Sequence, residues 1–282
     1  MEIRGRVLVI AGSDSGGGAG IQADLKTIAA CGAFATTAVT AVTVQNTQGV
    51  FAVHDVPTEI ITDQMRVVLE DIGTDVIKTG MLHTSAVIRR MLTVLDRLAS
   101  QAPLVVDPVM VAKGGARLLN RTAEDVVRET LLPRAFLITP NIPEAEVLLG
   151  REIPDREHME EAANDLMALG PKNVLLKGGH LTGDDGITDV LATARETTRY
   201  TSARIDTANT HGTGCTLASA VAALIARGHR LEKAVPLARD YVHAAIVNGP
   251  SIGQGHGPLN HMHGCTAPED WPAPSPVKAV NG

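Results

Sequence analysis

Two glycines set among hydroxyl residues, with a cysteine beside them, carry the first chemical signal in the chain: Asp206–Thr–Ala–Asn–Thr–His–Gly–Thr–Gly–Cys–Thr216. Gly212 and Gly214 bracket Thr213, and Thr210 and Thr216 flank the group. An alanine-rich apolar run follows from Leu217 to Ala226; it is a good helix former, and Gly228 is placed to close it. A glycine turn that feeds a helix start presents unpaired N–H groups worth about half a positive charge. Such an end binds phosphate or a developing anion. Cys215 lies in that field, where thiols gain reactivity. An ordinary thiol titrates at about 8.5, and a helix start can contribute up to about 2 kcal/mol, enough to bring Cys215 to about 7.

Other polar groups fall where apolar, strand-like runs end. Val7–Ala11 runs into a glycine loop, Gly12 to Gly20, and a helix from about Ile21 to Ala30 places Asp24 one turn in, where it can turn back toward the loop. The loop is neither a dinucleotide fingerprint nor a Walker A loop. Phe34–Val44 alternates Thr, Val and Ala and ends at Gln45, whose amide can donate and accept. Leu104–Val106 ends at Asp107–Pro108, a usual place for an acid that faces metal or phosphate. Phe136–Ile138 leads to Asn141 and Glu144, with Pro143 suited to a first helical turn. Asn173–Leu176 ends at Lys177. Ligands in α/β sheets sit at the carboxyl ends of strands, so these groups are aimed at one edge.

The elements that must position them alternate. Helical spacing covers Thr58–Ile72, Ser85–Leu98, Thr122–Leu132, Met159–Leu169 and Leu231–Val247, and Asp75–Ile77 is a brief strand. Thr122 with Asp125 three residues on reads as a helix cap. Gly114–Gly115 makes a flexible turn, and Thr188–Ala192 with Thr197–Ala203, after Gly183–Gly186, forms a hairpin. The pattern predicts one α/β domain over residues 1–262, a mostly parallel sheet under helices on both faces with an antiparallel edge hairpin. The proline-rich residues 263–282 read as a mobile tail.

Composition narrows the class. The chain has 282 residues, 44% hydrophobic but only 2% aromatic, so Val, Leu, Ile and Ala must fill the core. Net charge is −6 and no basic run stands out, which argues against nucleic acid. Cys31, Cys215 and Cys265 are widely spaced and odd in number, which fits a reducing compartment rather than a disulfide framework. No membrane-length apolar run or signal-peptide pattern is present. The expectation is a soluble cytoplasmic protein.

Taken together, AGSDSGGGAGIQADLKT (Ala11–Thr27), AVTVQNT (Ala41–Thr47), KTGML (Lys78–Leu82), VDPVM (Val106–Met110), TPNIPEAEVLLG (Thr139–Gly150), KGGH (Lys177–His180) and THGTGCT (Thr210–Thr216) resemble, in order and spacing, the hydroxymethylpyrimidine/phosphomethylpyrimidine kinases of thiamine biosynthesis, within the ribokinase-like superfamily. The resemblance spans roughly residues 6–261. It implies the ribokinase-like three-layer fold, ATP and Mg²⁺, and a homodimer. It implies that Gly212, Gly214 and Lys177 hold the moving phosphoryl group and that Cys215 is the general base, where the wider superfamily has aspartate. It places Asp107 and Glu144 at Mg²⁺; Asn141, Thr210, Thr213, Asp107 and Lys177 at the nucleotide; and Gln45, Gly12, Asp24, Met81 and Val109 at the pyrimidine. A pyridoxal kinase is the nearest alternative, and a non-catalytic vitamin-binding protein a weaker one, because a binder has no need of the metal acids.

Overall fold

The computed structural model describes residues 3–110, 119, 121–181 and 186–265. The Gly114–Gly115 turn, residues 183–185 and the segment after residue 265 lie outside the described residues. Nine strands form one sheet: β1 (Arg6–Ser13), β2 (Phe34–Asn46), β3 (Gly49–Asp55), β4 (Val76–Thr79), β5 (Leu104–Val106), β6 (Leu137–Ile138), β7 (Val174–Lys177), β8 (Ile187–Ala192) and β9 (Thr197–Ser202). Their order is β3-β2-β1-β4-β5-β6-β7-β8-β9. The strands from β2 through β7 run parallel, β3 pairs antiparallel at one edge, and β8 and β9 run antiparallel at the other.

Alternation along the buried strands sorts side chains between two helical layers. Val7, Val9 and Ala11 of β1 join Val105, Leu137 and Leu175 against α1 (Gly20–Ala30), α7 (Thr213–Ala226) and α8 (Leu231–Val247). Leu8 and Ile10 join Ile77, Leu104, Val106 and Ile138 against α2 (Thr58–Asp71), α3 (Ser85–Leu98), α4 (Arg121–Val126), α5 (Ile142–Leu149) and α6 (Met159–Ala168). Each fully buried Val, Leu or Ile contributes about 1.5–3 kcal/mol. Two such layers stabilise the fold without aromatic residues. The small alanines of α7 let it lie close to the sheet, which carries its N-terminus to the edge where the strands end.

Three elements differ from the sequence expectation. β3 was hidden because most of its residues are exposed, so no hydrophobic alternation marks it; the sheet is therefore antiparallel at both edges. α4 begins at Arg121, one residue before the expected cap position at residue 122. The expected Thr122–Leu132 helix is α-helical only to Val126, then makes a π-helical turn over Val127–Leu131 and a 3₁₀ turn over Leu132–Arg134, where Pro133 lacks the N–H that an α-helix would use.

One polar contact crosses the core. Lys78, at 0% exposure and within β4, places Nζ 2.8 Å from Asp24 Oδ1 on α1, itself at 0%. Ser219 of α7 donates to the same oxygen at 2.6 Å. The contact ties β4, α1 and α7 together. Removing one partner of a buried pair strands the other charge, at a cost of about 3–5 kcal/mol. Lys78→Met is therefore expected to lower the free energy of urea unfolding by about 3–5 kcal/mol, and adding Asp24→Leu to recover most of it. A loss below about 1 kcal/mol for Lys78→Met, the size seen for exposed pairs, would contradict this role.

Candidate active site

The start of α7 is built by close backbone approach. Gly212 occupies the N-cap with φ 83, and no side chain caps the helix there. A Cβ on Gly212 would stand 1.8 Å from the carbonyl oxygen of Gly18. The two glycine loops therefore touch, and any side chain at residue 212 would separate them. Thr213 Oγ1 turns back and donates to the Thr210 carbonyl at 2.8 Å, and Thr216 Oγ1 lies 3.0 Å from Nε2 of the buried His261. The hydroxyls brace the turn, and the helix N-terminus carries its partial positive charge without a capping side chain.

Beside this turn lies a charged cluster. Lys177, at the end of β7, donates to Asp107 Oδ1 at 2.9 Å, with the two side chains 12% and 3% exposed. Thr139 Oγ1 donates to the same oxygen at 3.2 Å. A Cβ on Gly214 would lie 3.1 Å from Lys177 Nζ and 3.8 Å from Asp107 Oδ2, so the second glycine lets the ammonium sit against the α7 backbone. Asn141 and Glu144 form a reciprocal cap on α5: Glu144 N–H donates to Asn141 Oδ1 and Asn141 N–H to Glu144 Oε2, both at 2.9 Å. Burial pushes the Glu144 carboxyl up to about 7 with Asp107 adding to the rise, while Lys177 and the Asn141 and Met110 N–H groups oppose it. Burial disfavours charge on Lys177 as well, yet Asp107 and Glu144 outweigh it and hold its pKa above the ordinary lysine value.

Cys215 differs from its expected state. Burial is the largest influence and pushes the thiol up to about 12; Asp107 and Asp24 add to the rise, and Lys78 and the Gly20 N–H only partly oppose it. The helix start was read as enough to bring the thiol to about 7. The structure leaves the residue half-buried, with the carboxylates of Asp107 and Asp24 near its sulfur, and these prevail. Cys215 is a neutral thiol in this site at physiological pH.

A small apolar patch gathers three of the expected substrate residues. Met81 and Ala41 are buried together with Val109 packed against them, and a Cβ on Gly12 would meet Met81 Cε at 2.6 Å. Gln45, at the end of β2, reaches His211 and Thr43. Asp24 is a correction: it faces Lys78 and Ser219 beneath the loop instead of turning toward a ligand, because burying Lys78 requires a carboxylate there. Lys78, His211 and Asp14 were missed as site-forming groups. Only a lysine inside an otherwise apolar strand hinted at the first. Asp14 accepts from Gly16 and Ala19 N–H groups at 2.8 and 2.7 Å. Burial alone would raise its pKa, but His211 and these amides outweigh it and hold the carboxyl below its usual value.

Comparison with known proteins agrees with this geometry. The family model for phosphomethylpyrimidine kinase matches residues 14–260. A thiamine biosynthesis bifunctional protein of Geobacter sulfurreducens is 51% identical over 92% of the chain, which spans 52% of that relative's length. The hydroxymethylpyrimidine/phosphomethylpyrimidine kinase of Bacillus subtilis is 44% identical over 91% of this chain and 94% of its own. Among solved structures, an ADP complex of Bacillus subtilis pyridoxal kinase aligns with TM-score 0.85 and 37% identity, covering 92% of this chain and 98% of that one.

The state of Cys215 can be measured directly. Thiolate is the form that alkylates, so with Cys31 and Cys265 replaced by serine the iodoacetamide rate at Cys215 should still be climbing with pH at about 10, well above the unperturbed value of about 8.5. A plateau reached by about pH 8 would contradict the raised pKa.

Proposed function

We infer the reaction from one premise: the chain belongs to the phosphomethylpyrimidine kinase family, and it is a phosphotransferase. We propose that it moves the γ-phosphoryl group of ATP onto the hydroxymethyl oxygen of 4-amino-5-hydroxymethyl-2-methylpyrimidine, and then transfers a second phosphoryl group onto the monophosphate, for thiamine biosynthesis. The observation that carries this reading is the meeting of two half-sites at one sheet edge. Lys177, Asp107 and Gly214 surround the α7 start, and Gln45 lies with Gly12, Met81 and Val109 at the ends of β1, β2, β4 and β5.

Phosphoryl transfer asks mainly for positioning and charge stabilisation. The α7 N–H groups and Lys177 stabilise negative charge on the moving group. Asn141, Thr210 and Thr213 lie on the turns that border the nucleotide. Among the described residues no three His, Cys, Asp or Glu side chains cluster as a metal cage. Two buried carboxylates sharing one lysine fit a largely hydrated Mg²⁺ held by one or two carboxylates and by phosphate oxygens. Asp107 and Glu144 would hold that ion, which supplies neutralisation of the phosphate charge.

Cys215 enters as a neutral thiol. In a loose transfer the hydroxyl keeps its proton until the new P–O bond is largely formed, so a preformed thiolate is not required. The sulfur accepts the hydroxyl hydrogen bond and aligns the oxygen; because the thiol already carries its proton, the hydroxyl proton passes to an oxygen of the transferred phosphoryl group as the new P–O bond forms. The second transfer uses an oxygen that is already anionic and has no proton to lose.

Pyridoxal is the second reading, favoured by the structural likeness to a pyridoxal kinase. Incubation of the chain with Mg²⁺, ATP and hydroxymethylpyrimidine should add one and then two phosphoryl masses, with pyridoxal turned over more slowly. Phosphorylation of pyridoxal alone would reverse the assignment. Cys215→Ala should reduce kcat for the alcohol by about 10²-fold, the usual size of a misaligned reacting group, and reduce kcat for the monophosphate far less. Equal losses would contradict the division of labour.

No helix among the described residues is long and apolar enough to cross a membrane. The ATP requirement and the three free thiols support a cytoplasmic setting. A second copy of the chain is the proposed partner, docking on the β2–β3 projection, where Val44 and Phe51 are 60% and 65% exposed with Val42 and Val53 also open. Exposed apolar patches of this kind mark interfaces. Light scattering should show a dimer that Phe51→Lys converts to monomer; an unchanged mass for the variant would place the contact elsewhere.

A further inference from the structure

His211 sits where the two glycine loops meet Gln45. A Cβ on Gly18 would strike its Cδ2 at 2.4 Å, so the ring sets its Cδ2 edge against a residue that leaves no room for a side chain. His211 Nε2 is 3.0 Å from Asp14 Oδ2, with side chains 15% and 3% exposed. It is also 3.3 Å from one end of the Gln45 amide, and the other end lies 3.2 Å from Thr43 Oγ1. The two ends of an amide are told apart by their partners, since their shapes are alike.

Two independent contacts fix those partners. The Ser13 carbonyl, 2.8 Å from Thr43 Oγ1, can only accept, so the single Thr43 hydroxyl proton goes to it. The Gln45 atom facing Thr43 must then donate. Asp14 is an ionised acceptor, held so by Gly16 and Ala19 N–H groups, so His211 Nε2 carries a proton in either the neutral or the charged ring. The Gln45 atom facing His211 must then accept. With the amide nitrogen toward His211, donor would oppose donor and Thr43 would need two protons. Reversing the amide removes both conflicts, with the one His211 Nε2–H shared between Asp14 Oδ2 and, more weakly, the Gln45 oxygen.

We propose that His211, anchored by Asp14, is a positioning residue that fixes the direction of the Gln45 amide, with Oε1 toward His211 and Nε2 toward Thr43, and so makes the site select a 4-aminopyrimidine over a 4-oxopyrimidine. This rests on the pyrimidine kinase reading above. Each end of the amide keeps one hydrogen-bonding position for a ligand, an N–H beside a carbonyl lone pair. A 4-aminopyrimidine offers the complementary pair, ring nitrogen as acceptor and amino group as donor. A 4-oxo ring offers the reverse, N–H and carbonyl. The ring cannot turn over to compensate, because its hydroxymethyl group must face the start of α7. A freely rotating amide would accept both rings; a fixed one accepts one.

The test compares kcat/KM for 4-amino-5-hydroxymethyl-2-methylpyrimidine and its 4-oxo analogue. The wild type should prefer the amino ring at least about a hundredfold, since mismatched buried polar groups are strongly rejected. His211→Leu should cut that preference to within about tenfold, chiefly through KM, and His211→Gln, which returns an N–H near the position of Nε2, should keep most of it. An unchanged preference in His211→Leu, or a loss in kcat equal for both rings, overturns the proposal. Nitrogen-15 NMR of the wild-type imidazole is independent of any variant: a proton on Nε2 is expected, and a neutral ring with its proton only on Nδ1 overturns it. Turnover of neither pyrimidine, with phosphorylation of a different alcohol, would instead refute the pyrimidine kinase reading.

Discussion

Charge buried at one end of the sheet is the constraint on which the site depends. Asp24, Lys78, Asp107 and Glu144 are each at most 6% exposed, and Lys177 is nearly as enclosed. Each desolvated charge costs several kcal/mol unless a partner compensates. The lysine at the end of β7 is held to the acid at the end of β5, and the lysine of β4 to the acid of α1. Their geometry is therefore set by folding rather than by a ligand, which is what a reaction driven by positioning requires.

The same constraint explains the cysteine. A helix start favours a thiolate, but burial and the nearby carboxylates of Asp107 and Asp24 oppose it. A neutral thiol suits a loose phosphoryl transfer, in which little proton removal precedes bond formation. The glycines matter for a different reason: they let Lys177 approach α7 at Gly214 and let the loop at Gly18 pack on Gly212.

Much of this was readable from the chain because ligands gather where strands end and strand ends have local signatures. Asp107 before Pro108, Lys177 after an apolar run and the glycine turn at residue 212 all announce themselves within a few residues. Asp24 was misread because its partner Lys78 lies 54 residues away, and local pattern cannot reveal which strand a helix will cover. His211 shows no role within its own loop, because its partner Asp14 lies 197 residues earlier. The segment around Gly253–Leu259 has no helical or strand pattern in the sequence. The structure ties it to both neighbouring loops: His256 N–H donates to the Thr47 carbonyl at 2.9 Å and His211 N–H to the Gly257 carbonyl at 3.1 Å. Glycines there carry no hydrophobic pattern, so only the close backbone approach exposes their purpose.

The central claim is that the α7 start and Lys177 receive the moving phosphoryl while the pyrimidine lies against Gln45 and Met81. A crystal structure with a non-hydrolysable ATP analogue, Mg²⁺ and hydroxymethylpyrimidine tests it most directly. The account predicts the γ-phosphoryl within hydrogen-bonding distance of the Gly214 and Cys215 N–H groups and of Lys177, with the hydroxymethyl oxygen between it and the Cys215 sulfur. A γ-phosphoryl bound away from α7, or a pyrimidine seated without contact to Gln45, would contradict it.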